Sequence, residues 1–316
     1  MARSCAVHVV SLRVVTESGQ AYKAPPGNTQ ASHEDAQALV ARYGLKRAGA
    51  RASLSEYTRE LWQRRYFIVE FSRATNASGY TRSFLGQAWQ VLTPLLNAAV
   101  YYLIFGLLIG TRRGVPNYLG FLVIGIFVFQ FTQSAITSGA RALQSNRSLA
   151  RTLRFPRAVF PVASTTIALQ HLLASLVVLV PIVLFTGEPI RVQWILVVPA
   201  VVLQTMFSAG LAFAFARIGA KVPDVSQMLP FALRVWLYAS GIMFNIDSFT
   251  KSKPNVGAIL NANPMTIYVD LYRGAFLASG QGTTPGQWLT ALAWSVGVLL
   301  VGYVFFWKAE ESYGRE

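Results

Sequence analysis

Four arginines sit in the stretch "SNRSLARTLRFPRAVFPVAS" (145–164), at Arg147, Arg151, Arg154 and Arg157, and no acid sits among them. A guanidinium presents a planar fork of donors that matches carboxylate or phosphate. On a helical wheel Arg147, Arg151 and Arg154 fall within about 60° of one another, and Leu149 and Leu153 face the other way. Pro156 stops or kinks that helix and leaves Arg157 at the turn. Like charges at this spacing repel, so the stretch calls for a counter-charge. Its neighbours in sequence supply none. Between Glu70 and Glu188 lie 117 residues without Asp or Glu, and they hold nine arginines: Arg73, Arg82, Arg112, Arg113, Arg141, Arg147, Arg151, Arg154 and Arg157. The partners must come from elsewhere in the chain, another subunit, lipid phosphate or a substrate. The plain alternative is a topological charge that holds the loop on the cytoplasmic side.

Other chemistries lack their ingredients. There is no G-x-x-x-x-G-K-[ST] phosphate loop and no H-E-x-x-H. Cys5 is the sole cysteine and His8, His33 and His171 are scattered, so no metal site is expected. Asp247 and Asp270 stand in separate elements and make a poor catalytic pair. No pair of acids lies inside an apolar run, as a proton- or sodium-coupled carrier would need.

The elements that must position the arginines are apolar. Hydrophobic residues make up 53% and charged residues 13% of the 316, well below the charge of a soluble domain, and the net charge is +15. Six segments are long enough to span a bilayer: about 87–110, 118–140, 162–186, 192–216, 226–248 and 286–307. Trp89 and Trp307 stand at the ends of the first and last. Pro94, Pro181, Pro199 and Pro230 fall inside spans, where neighbouring helices can satisfy the freed carbonyls. Residues 1–52 read as a disordered tail or a partner-binding arm. Residues 56–73 read as an amphipathic helix, with Tyr57, Leu61, Ile68 and Phe71 on one side and Arg64 breaking the pattern. Its length suits a helix on the membrane surface. The loop 249–285 carries two apolar pieces broken at "NANP", each too short to span. They are expected as short helices that dip into the outer leaflet or cap the bundle.

Arg and Lys counts set the orientation. With both termini in the cytoplasm, 21 basic residues lie inside and six outside; without the N-terminal region the balance is nine to six. Arg234 is the one charge well inside a span, where it either snorkels to phosphate or faces a polar path. His171 reads as a helix residue in a polar pocket. Gly106 and Gly110 form a G-x-x-x-G that permits close helix contact.

Several blocks, in order, carry a family likeness: "GYTRSFLGQAWQVLTPLLNAAVYYLIFG", "ARALQSNRSLARTLRFPRAVFPVAS", "VPDVSQMLPFALRVWLYASGIMF" and "LNANPMTIYVDLYRGAFL". Over about 56–310 the chain resembles the permeases of bacterial ABC transporters that export lipid-linked polysaccharides, of the O-antigen and teichoic acid type. Its Ala-, Val- and Arg-rich character is also similar to the mycobacterial galactan exporter permease. The resemblance implies an all-α, six-span permease over 53–316 that is not itself an enzyme. It implies a homodimer with two copies of a separate ABC ATPase subunit that binds ATP and Mg, and no cofactor or nucleic acid on this chain. Tyr57, Leu61, Arg147, Arg151, Arg154 and Arg157 would then couple to the ATPase. Arg73, Arg82, Arg141 and Arg147 are candidates for admitting a polyprenyl diphosphate from the inner leaflet. Tyr101, Tyr102, Arg234, Trp236 and Tyr238 would line the translocation path, and Asn261, Asn263, Pro264 and Met265 would belong to a periplasmic gate. Export of a small hydrophobic compound and a membrane-embedded glycan enzyme are the competing functions.

Overall fold

The computed structural model describes residues 53–79, 84–110, 115–152, 155–246, 257, 260, 262–278 and 283–310. Arg82, Arg154, Asn261 and the expected tail 1–52 lie outside the described residues, as do Asp247 and most of the first apolar piece of the 249–285 loop. The described residues form ten α-helices and no strand. They are α1 (Leu54–Gln63), α2 (Arg65–Ser78), α3 (Trp89–Tyr101), α4 (Tyr118–Ser145), α5 (Arg147–Thr152), α6 (Val159–Phe185), α7 (Val197–Lys221), α8 (Val225–Tyr238), α9 (Pro264–Phe276) and α10 (Pro285–Trp307). A π-helical segment, Tyr102–Leu108, extends α3, and a 3₁₀ turn, Val192–Leu196, leads into α7.

Five helical segments are long and apolar enough to cross a membrane: Trp89–Leu108, Tyr118–Ser145, Val159–Phe185, Val192–Lys221 and Pro285–Trp307. The fold is therefore the all-α polytopic one expected. The difference falls at the expected span 226–248. Its helix, α8, stops at Tyr238 after 14 residues, about 21 Å, which is short of a bilayer core. The chain nonetheless travels the full height. Arg141 donates to the Ser226 carbonyl near one end of α4, and the Tyr118 hydroxyl donates to the Met243 carbonyl at the other. The last part of this crossing is a turn, with Gly241 at φ 59°, a conformation that favours glycine.

α4 is the central helix. It is apolar on every side, and 78% of its most apolar window is buried, so it reads as a helix enclosed by helices. Its neighbours approach through glycines. A Cβ at Gly219 would lie 2.1 Å from the Ala140 carbonyl oxygen, and one at Gly139 would lie 2.9 Å from Ala212. Between α7 and α10 a Cβ at Gly302 would lie 2.0 Å from the Gly210 oxygen. These are close backbone-to-backbone contacts between helices of one chain. Gly106 faces Tyr118 and Tyr102, and Gly110 ends the first span at φ 71°. Gly302→Ala is expected to cost about 1–3 kcal/mol through overpacking. Gly297→Ala, with nothing within 4 Å of the added carbon, should leave the melting temperature in detergent unchanged or slightly raised.

The amphipathic segment is two helices rather than one. Arg64, the residue that spoils the wheel, is the joint, at φ −87° and ψ 7°. Part of its expected apolar side faces the bundle. Tyr57 and Ile68 are buried in the bundle, and α2 runs beside α6, where the Ser72 hydroxyl donates to the Ala163 carbonyl.

Candidate functional site

Two polar clasps, one at each end of the bundle, hold the elements that the sequence marks as functional. The first is built on Glu310, just past the end of α10. Tyr57 donates its hydroxyl to Glu310 Oε2 at 2.8 Å, and the Arg157 backbone N–H donates to Oε1 at 3.1 Å. Arg157 Nη1 donates to the Glu310 carbonyl at 2.9 Å, and the Ala158 N–H donates to the Tyr57 oxygen at 3.1 Å. Three distant pieces of sequence thus meet at one carboxylate: α1, the start of α6 after the basic loop, and the end of α10. Around it Phe160, Phe213 and Phe306 are buried, with Leu61 packed against them. Burial pushes the Glu310 carboxyl above its ordinary range, against the Tyr57 and Arg157 bonds that favour the anion. Burial, reinforced by the Glu310 charge, pushes the Tyr57 phenol up as well.

A carboxyl whose folded pKa is raised binds its proton more tightly folded than unfolded. Its stabilising contribution is complete below the ordinary carboxylate pKa and is lost as pH rises through the raised value. Glu310→Gln removes that titration. The melting temperature of Glu310→Gln minus that of wild type should therefore become more positive from pH 4 to pH 7, as read by a thermal scan in detergent.

The second clasp is built on Arg273 of α9, which is 6% exposed. Its Nε and Nη2 donate to the Phe121 carbonyl at 3.3 and 3.2 Å, Nη1 donates to Gly241 O at 3.1 Å, and Nη2 also donates to Ile242 O at 3.0 Å. The guanidinium lies over the Phe121 ring, 3.2 Å from its centroid, and Asp270 stands 3.6 Å away. Gly241 and Ile242 are the residues at which the expected span turns, so the arginine takes up carbonyls that a continuing helix would have bonded. Beyond it, Arg191 donates to the Leu277 carbonyl, and the Ala278 N–H donates to Glu188 Oε2 at 2.6 Å. Asn263 caps α9, with Oδ1 accepting from the Met265 N–H at 3.0 Å and Pro264 in the first turn. The same oxygen accepts from Trp236 Nε1 at 2.9 Å, and Nδ2 donates to Ala239 O and Ser240 Oγ at 3.1 and 3.0 Å. Asn263→Ala strips all four contacts and should destabilise the protein by about 2–4 kcal/mol, because the Trp236 and Met265 donors lose their acceptor.

Other marked residues divide between those gathered and those left apart. Tyr101 of α3 lies close enough to Tyr238 and Arg234 of α8 for both to act on its hydroxyl, so these three residues are neighbours. Tyr102 instead pairs with the Tyr118 ring at 6.1 Å, and Trp236 packs edge-on to Phe129 at 5.8 Å. Arg147 is exposed on α5, the short helix that also carries Arg151. Arg73 is paired with Glu70 at 2.9 Å on the surface, and Arg141 is bonded to Ser226, so these arginines share no partner. The residues that sequence reasoning passed over are Glu310, Glu188 and Arg273. Glu310 is the first acid after the last span and Glu188 closes the acid-free gap, so the arginine count carried a signal for both. Arg273 was counted only as a loop charge; its i, i+3 spacing from Asp270 within "YVDLYRGAF" was the available hint.

The sequence profile of the ABC-2 type transporter family matches residues 70–277, two thirds of the chain. This chain belongs to that family. The match contains the basic loop, Asn263 and Arg273. Among curated relatives, the permease is 26% identical to an O-antigen export system permease protein of Klebsiella pneumoniae over 239 residues, 75% of this chain and 89% of the relative. It is 27% identical to a protein of the same description from Myxococcus xanthus, over 69% of this chain and 83% of that one. It is 25% identical to the polysialic acid transport protein of Escherichia coli, over 72% and 87%. Tyr57 and Glu310 fall outside the family match.

Proposed function

We propose that two copies of this permease form the membrane passage of an ATP-driven polysaccharide exporter in the bacterial inner membrane. Two copies of a separate ABC ATPase hydrolyse ATP with Mg. The cargo is a glycan on a polyprenyl diphosphate, of the galactan or similar cell-envelope class. The observation that carries this reading is the Glu310 clasp. It ties α1, the basic 146–157 segment and the end of α10 into one polar unit beside an exposed basic helix, so a push delivered there reaches three helices together. The Glu310 end is then cytoplasmic, in line with the larger count of Lys and Arg on that side. The Arg273 end, with α9 and Asn263, is periplasmic. Names of the relatives point to polysaccharide as the cargo.

The charge-reversed variant Arg147→Glu, Arg151→Glu, Arg154→Glu tests the assignment of the basic loop. Export of glycan, measured as surface polysaccharide in cells co-expressing the ATPase, should fall at least tenfold while the permease stays in the membrane. Unchanged export would refute it. Pull-down of the ATPase tests the class of machine, since a glycan-modifying enzyme would need no such partner.

A further inference from the structure

A second polar cluster lies where α2, α3 and α6 meet, away from both clasps. Asn76 Nδ2 donates to Gln170 Oε1 at 3.0 Å, and Gln90 Nε2 donates to Asn76 Oδ1 at 3.0 Å. The same oxygen lies 2.9 Å from His171 Nε2. His171 is twelve residues into α6, about 18 Å along its axis, so these groups sit beside apolar spans rather than at their tips. A polar side chain at such depth is costly unless something satisfies it. Next to the cluster is a cavity of about 50 Å³, open on one side and lined by Gln90, Gln130, Ser134 and His171 together with Phe127 and Leu172. The Gln130 carboxamide reaches this wall from α4 and has no hydrogen-bond partner among the described residues. No Asp, Glu, Lys or Arg lines the cavity.

We propose that this notch binds the hydroxyl groups of a neutral sugar. The Gln130 carboxamide offers a donor and an acceptor side by side, which is what a hydroxyl needs from its site. A phosphate would ask for positive charge, and the wall has none. The enclosed space holds about three or four waters, or one hydroxymethyl edge of a sugar ring. The sugar belongs either to the exported glycan or to a membrane glycolipid; only the first source rests on the proposed export function.

The test uses the full chain in lipid nanodiscs and an octyl glucoside carrying a diazirine on the sugar. After photolysis, label should appear in peptides covering 127–134 and 168–175. It should fall at least fivefold in Gln130→Leu and in Gln130→Glu, and about twofold in Ser134→Ala. Gln133→Leu, outside the lining, should keep it. Equal labelling of wild type and both Gln130 variants, or equal labelling by a sugar-free octyl diazirine, overturns the proposal. Competition by a polyprenyl-phosphate sugar or by a glycosyl diacylglycerol supports it and names the source, while competition by neither overturns it. Labelling needs no ATPase. Failure of export with labelling intact would therefore count against the functional reading alone, and lost labelling with export intact against the notch alone.

Discussion

Arg273→Met should destabilise the permease by about 3–5 kcal/mol, the largest loss expected from any single side chain in it. The substitution nearly preserves volume, so packing is not the cause. Three carbonyls, of Phe121, Gly241 and Ile242, lose their donor in a place where the arginine is 6% exposed and water cannot replace it. Arg273→Lys keeps the charge but not the planar fork. One ammonium can reach part of this set, so the loss should be smaller, about 1.5–3 kcal/mol. A thermal scan in detergent measures both. Equal melting of Arg273→Met and wild type would mean that the turn at Gly241 holds without the guanidinium. In trypsin digestion the Met variant should also be cut faster at Lys251, because Gly241 and Ile242, a few residues before it, lose their tie to α4 and α9.

Glu310→Ala is expected to reduce glycan export at least tenfold while leaving the permease in the membrane. The carboxylate accepts from the Tyr57 hydroxyl and the Arg157 N–H, and its backbone carbonyl accepts from the Arg157 guanidinium. Alanine keeps the carbonyl and removes both carboxylate bonds, so α1 and the loop before α6 lose their shared anchor. Tyr57→Phe leaves the ring in the core and loses the hydroxyl that bridges Glu310 and Ala158. Its export should fall about two- to fivefold. If Glu310→Ala exports at the wild-type rate with the ATPase bound, the clasp is a stability device and not a mechanical link. Comparing export with the amount of ATPase retained on pull-down separates the two.

Much of this could be read from the chain. The apolar runs specify the long helices because a bilayer permits little other backbone arrangement at that length. "NANP" marks the cap of α9, since Asn followed by Pro suits a helix start, whereas the stretch read as one helix over 56–73 is two, joined at Arg64. The end of α8 was not legible. "LYASGIMF" is as apolar as a continuing helix, and nothing local says that Gly241 and Ile242 give their carbonyls to an arginine more than thirty residues on. The basic loop was read correctly as lacking local partners, yet which acid answers Arg157 depends on where residue 310 comes to rest.

The class of the molecule is legible in the chain: helical, membrane-crossing, and without a G-x-x-x-x-G-K-[ST] phosphate loop. Those properties follow from composition and periodicity, which act over a few turns of chain. That Glu310 and Arg273 are the clasps, and that Gln130 faces a polar notch, follows from how the helices pack. A buried charge is tolerated only where several distant groups converge on it, and convergence across 150 residues is a property of packing, not of any window of sequence.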